Sequence, residues 1–287
     1  GIRDLVRSRG LGDVYKRQDQ AAVLVSVPLF HVTGSHAIFL LSIPVGRKTV
    51  LMHKWDPEVA LDLIEREKIS DLYTGADFDN VLATSGSAEA NFVAVMTLLE
   101  PGDELIYMVP NYLQIRGIAR SFGIKVKELP LREELGWQWD MKELESMISS
   151  KTKMIGVCHP NNPTGSIVSK ENMEKVIDIA SENDCWILSD EVYRGAELNG
   201  IESPSFYGNY EKTIVNAGLS KAYRLPGLRV GWTVGPKDYI KKAWAFHDYT
   251  SISIAYHSDW VASRILDAKR RKQILDGTKQ HLNQNMN

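Results

Sequence analysis

The sequence predicts an α/β protein built on a mostly parallel sheet with helices packed on both faces. Between residues 81 and 234, short apolar runs alternate with stretches in which apolar positions recur three or four residues apart. This alternation is typical of parallel sheets, since two parallel strands are joined by a crossover that usually contains a helix. Polar, turn-rich segments follow several runs, which indicates that functional side chains gather at the carboxyl edge of the sheet.

The predicted strands share a short apolar run bounded by turn residues. They are Val81–Thr84, Glu104–Met108, Ile124–Glu128, Lys153–Val157, Cys185–Ser189, Thr213–Asn216 and Val230–Val234. The predicted helices share apolar positions at helical spacing, and they are Ala88–Leu99, Tyr112–Phe122, Met141–Ile148, Lys170–Ser181 and Pro236–His247. A basic helix is predicted after Asp259, with its charged residues on a solvated face.

The composition excludes several classes of protein. The 287 residues suffice for one large domain or two ordinary ones, and 44% hydrophobic with 24% charged residues is typical of a soluble globular protein. The net charge of -2 gives no indication of nucleic acid or an anionic membrane as partner. Cys158 and Cys185 cannot form a disulfide framework. We expect buried thiols, a cytoplasmic location and no metal site.

One uncharged segment raises the question of a membrane span. Residues 21–46 contain no Asp, Glu, Lys or Arg, and roughly 20 apolar residues can cross a bilayer. Prolines, histidines and small polar residues interrupt the segment. We therefore predict buried soluble core rather than a membrane helix, and we expect no secretory signal.

Composition and apolar periodicity change along the chain, and these changes predict four parts. Residues 1–18 are arginine-rich and without periodicity, and resemble translated adapter or vector sequence or a disordered tail. Residues 19–70 predict strands at Ala22–Val27 and Thr49–Met52 and helices at Ser35–Leu41 and Asp56–Lys68. Residues 71–235 hold the strand–helix alternation. Residues 236–287 are expected to complete that domain and to begin an incomplete smaller one.

Within residues 19–70, the segment Pro28-Leu29-Phe30-His31-Val32-Thr33-Gly34 and the stretch Trp55–Glu58 resemble acyl- and aryl-CoA synthetases of the adenylate-forming family. Adenylate formation needs a phosphate loop rich in Ser, Thr and Gly with a lysine, and no such loop precedes this part. We interpret residues 19–70 as an α/β fragment unrelated to the rest, in which His31 is a structural remnant.

The segment Thr84-Ser85-Gly86-Ser87-Ala88-Glu89-Ala90 favours an anion site, since it joins a predicted strand to a predicted helix. Gly86 lets the backbone approach a ligand, Ser87 offers a hydroxyl, and the helix N-terminus offers N–H groups. A plain serine N-cap is the alternative.

Three further segments follow predicted strands. Tyr112 can stack on a flat heterocycle, although taken alone a core or surface tyrosine is the better interpretation. Asn162 lies in a turn set by two prolines and a glycine, from which its amide can donate. Asp190 is costly to bury unless it meets a cation such as a protonated pyridine nitrogen, and Tyr193 could donate to the same ring. A helix N-cap is the alternative for Asp190.

Lys221 lies in a turn rich in Ser and Gly, and Arg229 follows beyond a Pro-Gly turn. A lysine held at a sheet edge and partly desolvated has a lowered pKa and becomes a nucleophile. An arginine can bind a phosphate through two hydrogen bonds. A lysine beside such an arginine is what pyridoxal 5'-phosphate (PLP) requires, and an ordinary surface lysine is the alternative.

Together these segments resemble the class I/II aminotransferases, which are PLP enzymes of fold type I, from about residue 73 to the end of the chain. The resemblance implies that Lys221 forms the internal aldimine and that Asp190 pairs with the pyridine nitrogen. It also implies that Asn162 and Tyr193 hold the ring oxygen and that Tyr112 stacks on the ring. The residues implied to bind the phosphate are Gly86, Ser87, Ala88, Ser220 and Arg229.

The implied activity is transfer of an amino group from an amino acid to a 2-oxo acid, with Lys221 as general base once it is freed. A PLP-dependent lyase or decarboxylase uses the same cofactor residues and is an alternative. A non-catalytic PLP-binding remnant and an adenylating ligase are further alternatives.

The sequence departs from the family at several points. Gly218 stands where the family often has a hydroxyl residue. The family's N-terminal arm is missing, which puts its usual homodimer in doubt. The arginine that binds the substrate carboxylate cannot be assigned, and neither Arg264 nor Arg270 is a safe substitute. We interpret the chain as a chimera of the parts described above.

Overall fold

The computed structural model of this chain describes residues 22–25, 48–51 and 80–286. The chain divides into two compact units, Gly1–Gly75 and Ala76–Asn287. In the first unit, β1 (Ala22–Val25) pairs in parallel with β2 (Lys48–Leu51), so that Ala22 lies opposite Lys48. Both strands were predicted. The helices predicted at Ser35–Leu41 and Asp56–Lys68 lie outside the described residues.

The second unit alternates strands and helices as the sequence predicts. Its strands are β3 (Val81–Thr84), β4 (Glu104–Val109), β5 (Lys125–Pro130), β6 (Thr152–Cys158), β7 (Trp186–Asp190), β8 (Thr213–Gly218) and β9 (Gly231–Val234). The helices in its described residues are α1 (Ser87–Leu98), α2 (Gln114–Ser121), α3 (Met141–Met147), α4 (Lys170–Glu182), α5 (Lys237–His247), α6 (Tyr256–Ile265) and α7 (Ala268–Met286).

These strands form one seven-stranded sheet in the order β3-β9-β8-β7-β6-β4-β5. Strands β8, β7, β6, β4 and β5 pair in parallel, whereas β9 is antiparallel to both β8 and β3. The predicted mostly parallel sheet is confirmed. The direction of β9 follows from its connection to β8, which holds only the short 3-10 helix Pro226–Leu228 and turns straight back.

Both faces of the sheet are covered, as predicted. On β4, Leu105 and Tyr107 pack in a cluster with residues of α1, α2 and α5, whereas Ile106 and Met108 pack in a cluster with residues of α3 and α4. Successive side chains of a strand point to opposite faces of the sheet. Because Leu105, Ile106, Tyr107 and Met108 are all buried, both faces of β4 are covered, as in a central strand of a layered fold.

The predicted basic helix is interrupted. Helix α6 ends before Asp267, whose Oδ1 accepts hydrogen bonds from the backbone N–H groups of Lys269 and Arg270, each at 3.2 Å. Arg264, Lys269, Arg270 and Lys272 are exposed, in agreement with a solvated face. Arg271 is the exception, because its guanidinium binds both carboxylate oxygens of Glu202 at 3.1 and 2.7 Å.

Both cysteines are free and buried, as expected, and burial raises the pKa of the Cys158 thiol. Among the described residues, none of the helices has the length and apolar character needed to cross a membrane. The described residues also contain no cluster of three His, Cys, Asp or Glu side chains able to hold a metal ion.

Candidate functional site

The turn between β3 and α1 forms a cradle at the carboxyl end of β3. Gly86 has a φ of 93°, a conformation that favours glycine, and α1 begins at the next residue, Ser87. The N–H groups of Ser87 and Ala88 lie in the first helical turn, which has no preceding carbonyls to bond. The positive end of the α1 dipole therefore faces this turn, as an anion site requires.

Arg229 is far from Gly86 in the sequence, but its side chain contacts this cradle. Its Nη2 donates to the carbonyl of Ser85 at 3.3 Å, and its Nη1 donates to Ser220 Oγ at 3.2 Å. A Cβ atom added at Gly86 would lie 2.2 Å from Arg229 Nη2, so a side chain here would displace this guanidinium from its present position. The structure thus brings together Gly86, Ser220 and Arg229, three of the residues predicted to bind phosphate.

Gly231, which the sequence analysis did not single out, lies directly against the backbone of the same cradle. A Cβ atom at Gly231 would lie 2.3 Å from the backbone N of Ser87 and 2.4 Å from the carbonyl carbon of Gly86. Both are backbone atoms, which cannot turn aside as a flexible side chain can. In the sequence, the glycine that follows Arg229 and Val230 after the Pro-Gly turn was the available indication of a special position. The close approach of Gly231 to the backbone of Gly86 and Ser87 depends on how the sheet packs.

We expect Gly231→Ala to destabilise the fold by about 1–3 kcal/mol or more, the usual cost of overpacking a rigid site. Gly117 is the matched control, since it lies inside α2 with no atom within 4 Å of an added Cβ. Gly117→Ala is expected to stabilise by about 0.5–1 kcal/mol, because alanine favours helices. Urea unfolding measures both changes, and equal stability of Gly231→Ala and wild type would contradict the prediction.

Asp190 ends β7 as a buried carboxylate, 6% exposed. Its Oδ2 accepts from Asn91 Nδ2 at 2.9 Å and its Oδ1 from the backbone N–H of Val192 at 3.3 Å. Burial raises the pKa of Asp190, while these hydrogen bonds and the charge of Lys221 oppose the rise. A turn rather than a helix follows, so the alternative that Asp190 caps a helix is wrong.

Asn162 and Tyr193 meet beside Asp190. Asn162 Nδ2 donates to the Tyr193 hydroxyl at 3.2 Å. Burial raises the pKa of Tyr193, and the nearby Asp190 and Tyr112 add to the rise. The Tyr112 side chain is 55% exposed, so its ring is free to lie against a flat ligand at this edge.

Lys221 lies in the turn after β8, and the adjoining Ala222 N–H donates to the Val192 carbonyl at 3.3 Å. This bond ties the lysine turn to the segment that follows Asp190. The Lys221 side chain is exposed, so the expectation of a partly desolvated lysine is wrong for the structure described here.

A partly buried carboxylate that the sequence analysis missed, Glu89, anchors the cradle. Glu89 accepts from the backbone N–H of Ser85 at 2.5 Å and from the backbone N–H and Oγ of Ser251 at 3.0 and 2.9 Å. His247 Nε2 lies 3.4 Å from the same carboxylate. Burial alone would raise the pKa of Glu89, but the hydrogen bonds together lower it. In the sequence, the position of Glu89 in the first turn of a predicted helix was the local indication that its carboxylate interacts with the helix N-terminus.

Two observations test whether these residues fit PLP. The buried Asp190 carboxylate has only neutral hydrogen-bond donors among the described residues, and a protonated ring nitrogen would balance its charge. The cradle at Gly86 would be filled by any Cβ atom, and it combines an arginine, a serine hydroxyl and a helix N-terminus. The residues present therefore fit a phosphorylated pyridine.

The sheet, the cradle and the buried carboxylate define a PLP protein of fold type I. The model of the family "Aminotransferase class I and II" matches residues 62–287, and the chain belongs to this family. The match begins at residue 62, which lies inside the part of the chain predicted to span residues 19–70. Enzymes of this family depend on PLP.

Known relatives agree with this assignment. The aspartate aminotransferase of Pyrococcus horikoshii is 34% identical over 180 residues, which are 62% of this chain and 46% of the relative. The aromatic-amino-acid aminotransferase 2 of Thermococcus litoralis is 28% identical over 210 residues, 71% of this chain and 54% of the relative. The structure of a PLP-dependent aminotransferase from Streptococcus suis has a TM-score of 0.66 and 31% identity, covering 89% of this chain and 67% of that chain. The chain spans about half the length of the curated relatives it matches.

Proposed function

We propose that this chain acts as a PLP-dependent aminotransferase, moving an amino group between an amino acid and a 2-oxo acid. The observation that carries the proposal is the meeting of Lys221, the buried Asp190 and the Gly86–Ser220–Arg229 cradle at one edge of one sheet. The family membership supports the reaction class.

The predicted residues take complementary roles in this proposal. Arg229, Ser220 and the backbone of Gly86, Ser87 and Ala88 hold the phosphate. Tyr112 would stack on the ring. Asn162 and Tyr193, which are joined by a hydrogen bond from Asn162 Nδ2 to the Tyr193 hydroxyl, would both donate to the ring oxygen. Asp190 keeps a proton on the ring nitrogen.

PLP, when bound, supplies the electron sink for chemistry at the substrate α-carbon. Lys221 Nζ would hold the cofactor, and the same amine would act as the base that moves the proton of the substrate α-carbon. Asp190 needs no movement for its part, because its carboxylate is already oriented by Asn91 and Val192.

Several finer points belong to this proposal. The relatives are named for different substrates, so the amino acid is left open. The homodimer that is usual in the family is not assigned to this chain. The free, buried cysteines favour the cytoplasm. Residues 19–70 are proposed to include a fragment of an adenylate-forming enzyme. The family match begins at residue 62, so the fragment is limited to residues 19–61. Such a fragment would make the chain a chimera. Contiguous genomic reads through residues 18–19 and 61–71 would disprove that chimera.

A visible absorbance spectrum of the purified chain with added PLP tests the cofactor site. We expect a band that borohydride removes, with the reduced cofactor recovered on the peptide that contains Lys221. Product analysis with an amino acid and a 2-oxo acid then separates transamination from loss of carbon dioxide or elimination. Folded protein without the band would exclude PLP binding, and ATP–pyrophosphate exchange would favour the ligase instead.

A further inference from the structure

Asn91 lies on the buried face of α1, where its side-chain amide is 1% exposed and uses both of its ends. Its Nδ2 donates to Asp190 Oδ2 at 2.9 Å and to Gln114 Oε1 at 3.3 Å. Its Oδ1 accepts from Asn216 Nδ2 at 2.8 Å. Three elements of the fold, α2, β7 and β8, therefore meet at one amide of α1.

The orientation of this amide is set from outside Asp190. Gln114 Nε2 donates to the backbone carbonyl of Ala88 at 2.9 Å. A carbonyl oxygen can only accept, so the NH₂ group of Gln114 must face Ala88 and its Oε1 must face Asn91. That oxygen in turn requires a donor from Asn91, which places the NH₂ group of Asn91 on the side of Asp190. The backbone of α1 thus determines which end of Asn91 meets the carboxylate.

We infer that Asn91, oriented by Gln114, is a positioning residue that favours the ionised form of Asp190 and holds this carboxylate as a hydrogen-bond acceptor for the ring nitrogen of PLP. The inference rests on the proposed function. A donor directed at a carboxylate stabilises its charged form, whereas burial of Asp190 acts in the opposite direction. Asn91 supplies the side-chain donor and Val192 the backbone donor that partly offset the effect of this burial on the pKa of Asp190.

The test replaces the donor without changing its shape. In Asn91→Asp an oxygen faces the Asp190 carboxylate, and we expect PLP to bind about 10-fold more weakly, a change of about 1.4 kcal/mol. Gln114→Leu keeps Asn91 but removes the group that orients it, and should weaken binding by a smaller factor. The matched control is Asn172→Asp in α4, where the amide donates to Gln138 Oε1 at 3.3 Å and PLP affinity should stay at the wild-type value.

The readouts are the PLP dissociation constant from absorbance titration and the melting temperatures with and without PLP. A positioning role shrinks the rise in melting temperature that PLP causes, and it shifts the pH dependence of the bound cofactor's absorbance. Equal lowering of both melting temperatures with unchanged affinity would overturn the inference. If Asn91→Asp does not fold, unchanged affinity in Gln114→Leu overturns it. Wild-type protein that binds no PLP would overturn the proposed function as well, whereas normal wild-type binding confines a failure to Asn91.

Discussion

Lys221→Ala is expected to lower the rate of amino-group transfer by roughly 10⁴-fold or more, the largest effect of any substitution in this chain. The substitution removes both the group that attaches the cofactor and the base that moves the α-proton, and each role is worth orders of magnitude. The side chain is exposed, so the free energy of unfolding should change by only about 0.5 kcal/mol. Single-turnover transfer to a 2-oxo acid measures the rate, and urea unfolding measures the stability.

Lys241→Ala provides the matched control, because Lys241 is an exposed lysine on α5, outside the residues assigned to the site. Its transfer rate should equal that of the wild type. Retention of wild-type turnover in Lys221→Ala would show that the reaction does not depend on this lysine, and the assignment of the catalytic amine would then be wrong.

Asp190→Asn is expected to lower turnover by roughly 10²–10³-fold, comparable to the loss of a preorganised electrostatic group at other active sites. The amide keeps the size of the side chain but removes the negative charge that holds a proton on the ring nitrogen. Burial raises the folded-state pKa of Asp190 above its unfolded value, so the ionised carboxylate costs stability at neutral pH. The variant should therefore fold while losing activity.

Asp184→Asn is the control for this change of charge. Asp184 is an exposed carboxylate paired with Lys212, and its φ of 54° is a conformation that asparagine adopts readily. Turnover of this variant should match the wild type. If Asp190→Asn instead unfolds the chain while Asp184→Asn does not, Asp190 is a structural residue, and its assigned role toward the ring nitrogen is mistaken.

Local patterns in the sequence are enough to predict the strands and helices and the order of the candidate site residues. The predicted strands and helices of residues 81–247 all occur in the structure, with ends that shift by one or two residues. Apolar periodicity and turn-forming residues act over a few positions, so they can be read locally. The placement of Gly86, Asp190 and Lys221 after strands was visible for the same reason, and the carboxyl edge of a parallel sheet then brings such residues together.

Other features depend on contacts between residues far apart in the chain and become visible only in the folded structure. The antiparallel direction of β9 depends on how its short connection packs, and the need for glycine at Gly231 depends on the backbone of Ser87 lying against it. Asn91 looked like an ordinary helix residue, because its partners Asp190 and Asn216 lie 99 and 125 positions away. A buried hydrogen bond has no local pattern in the sequence, since both of its groups are specified only once the layers of the fold have packed.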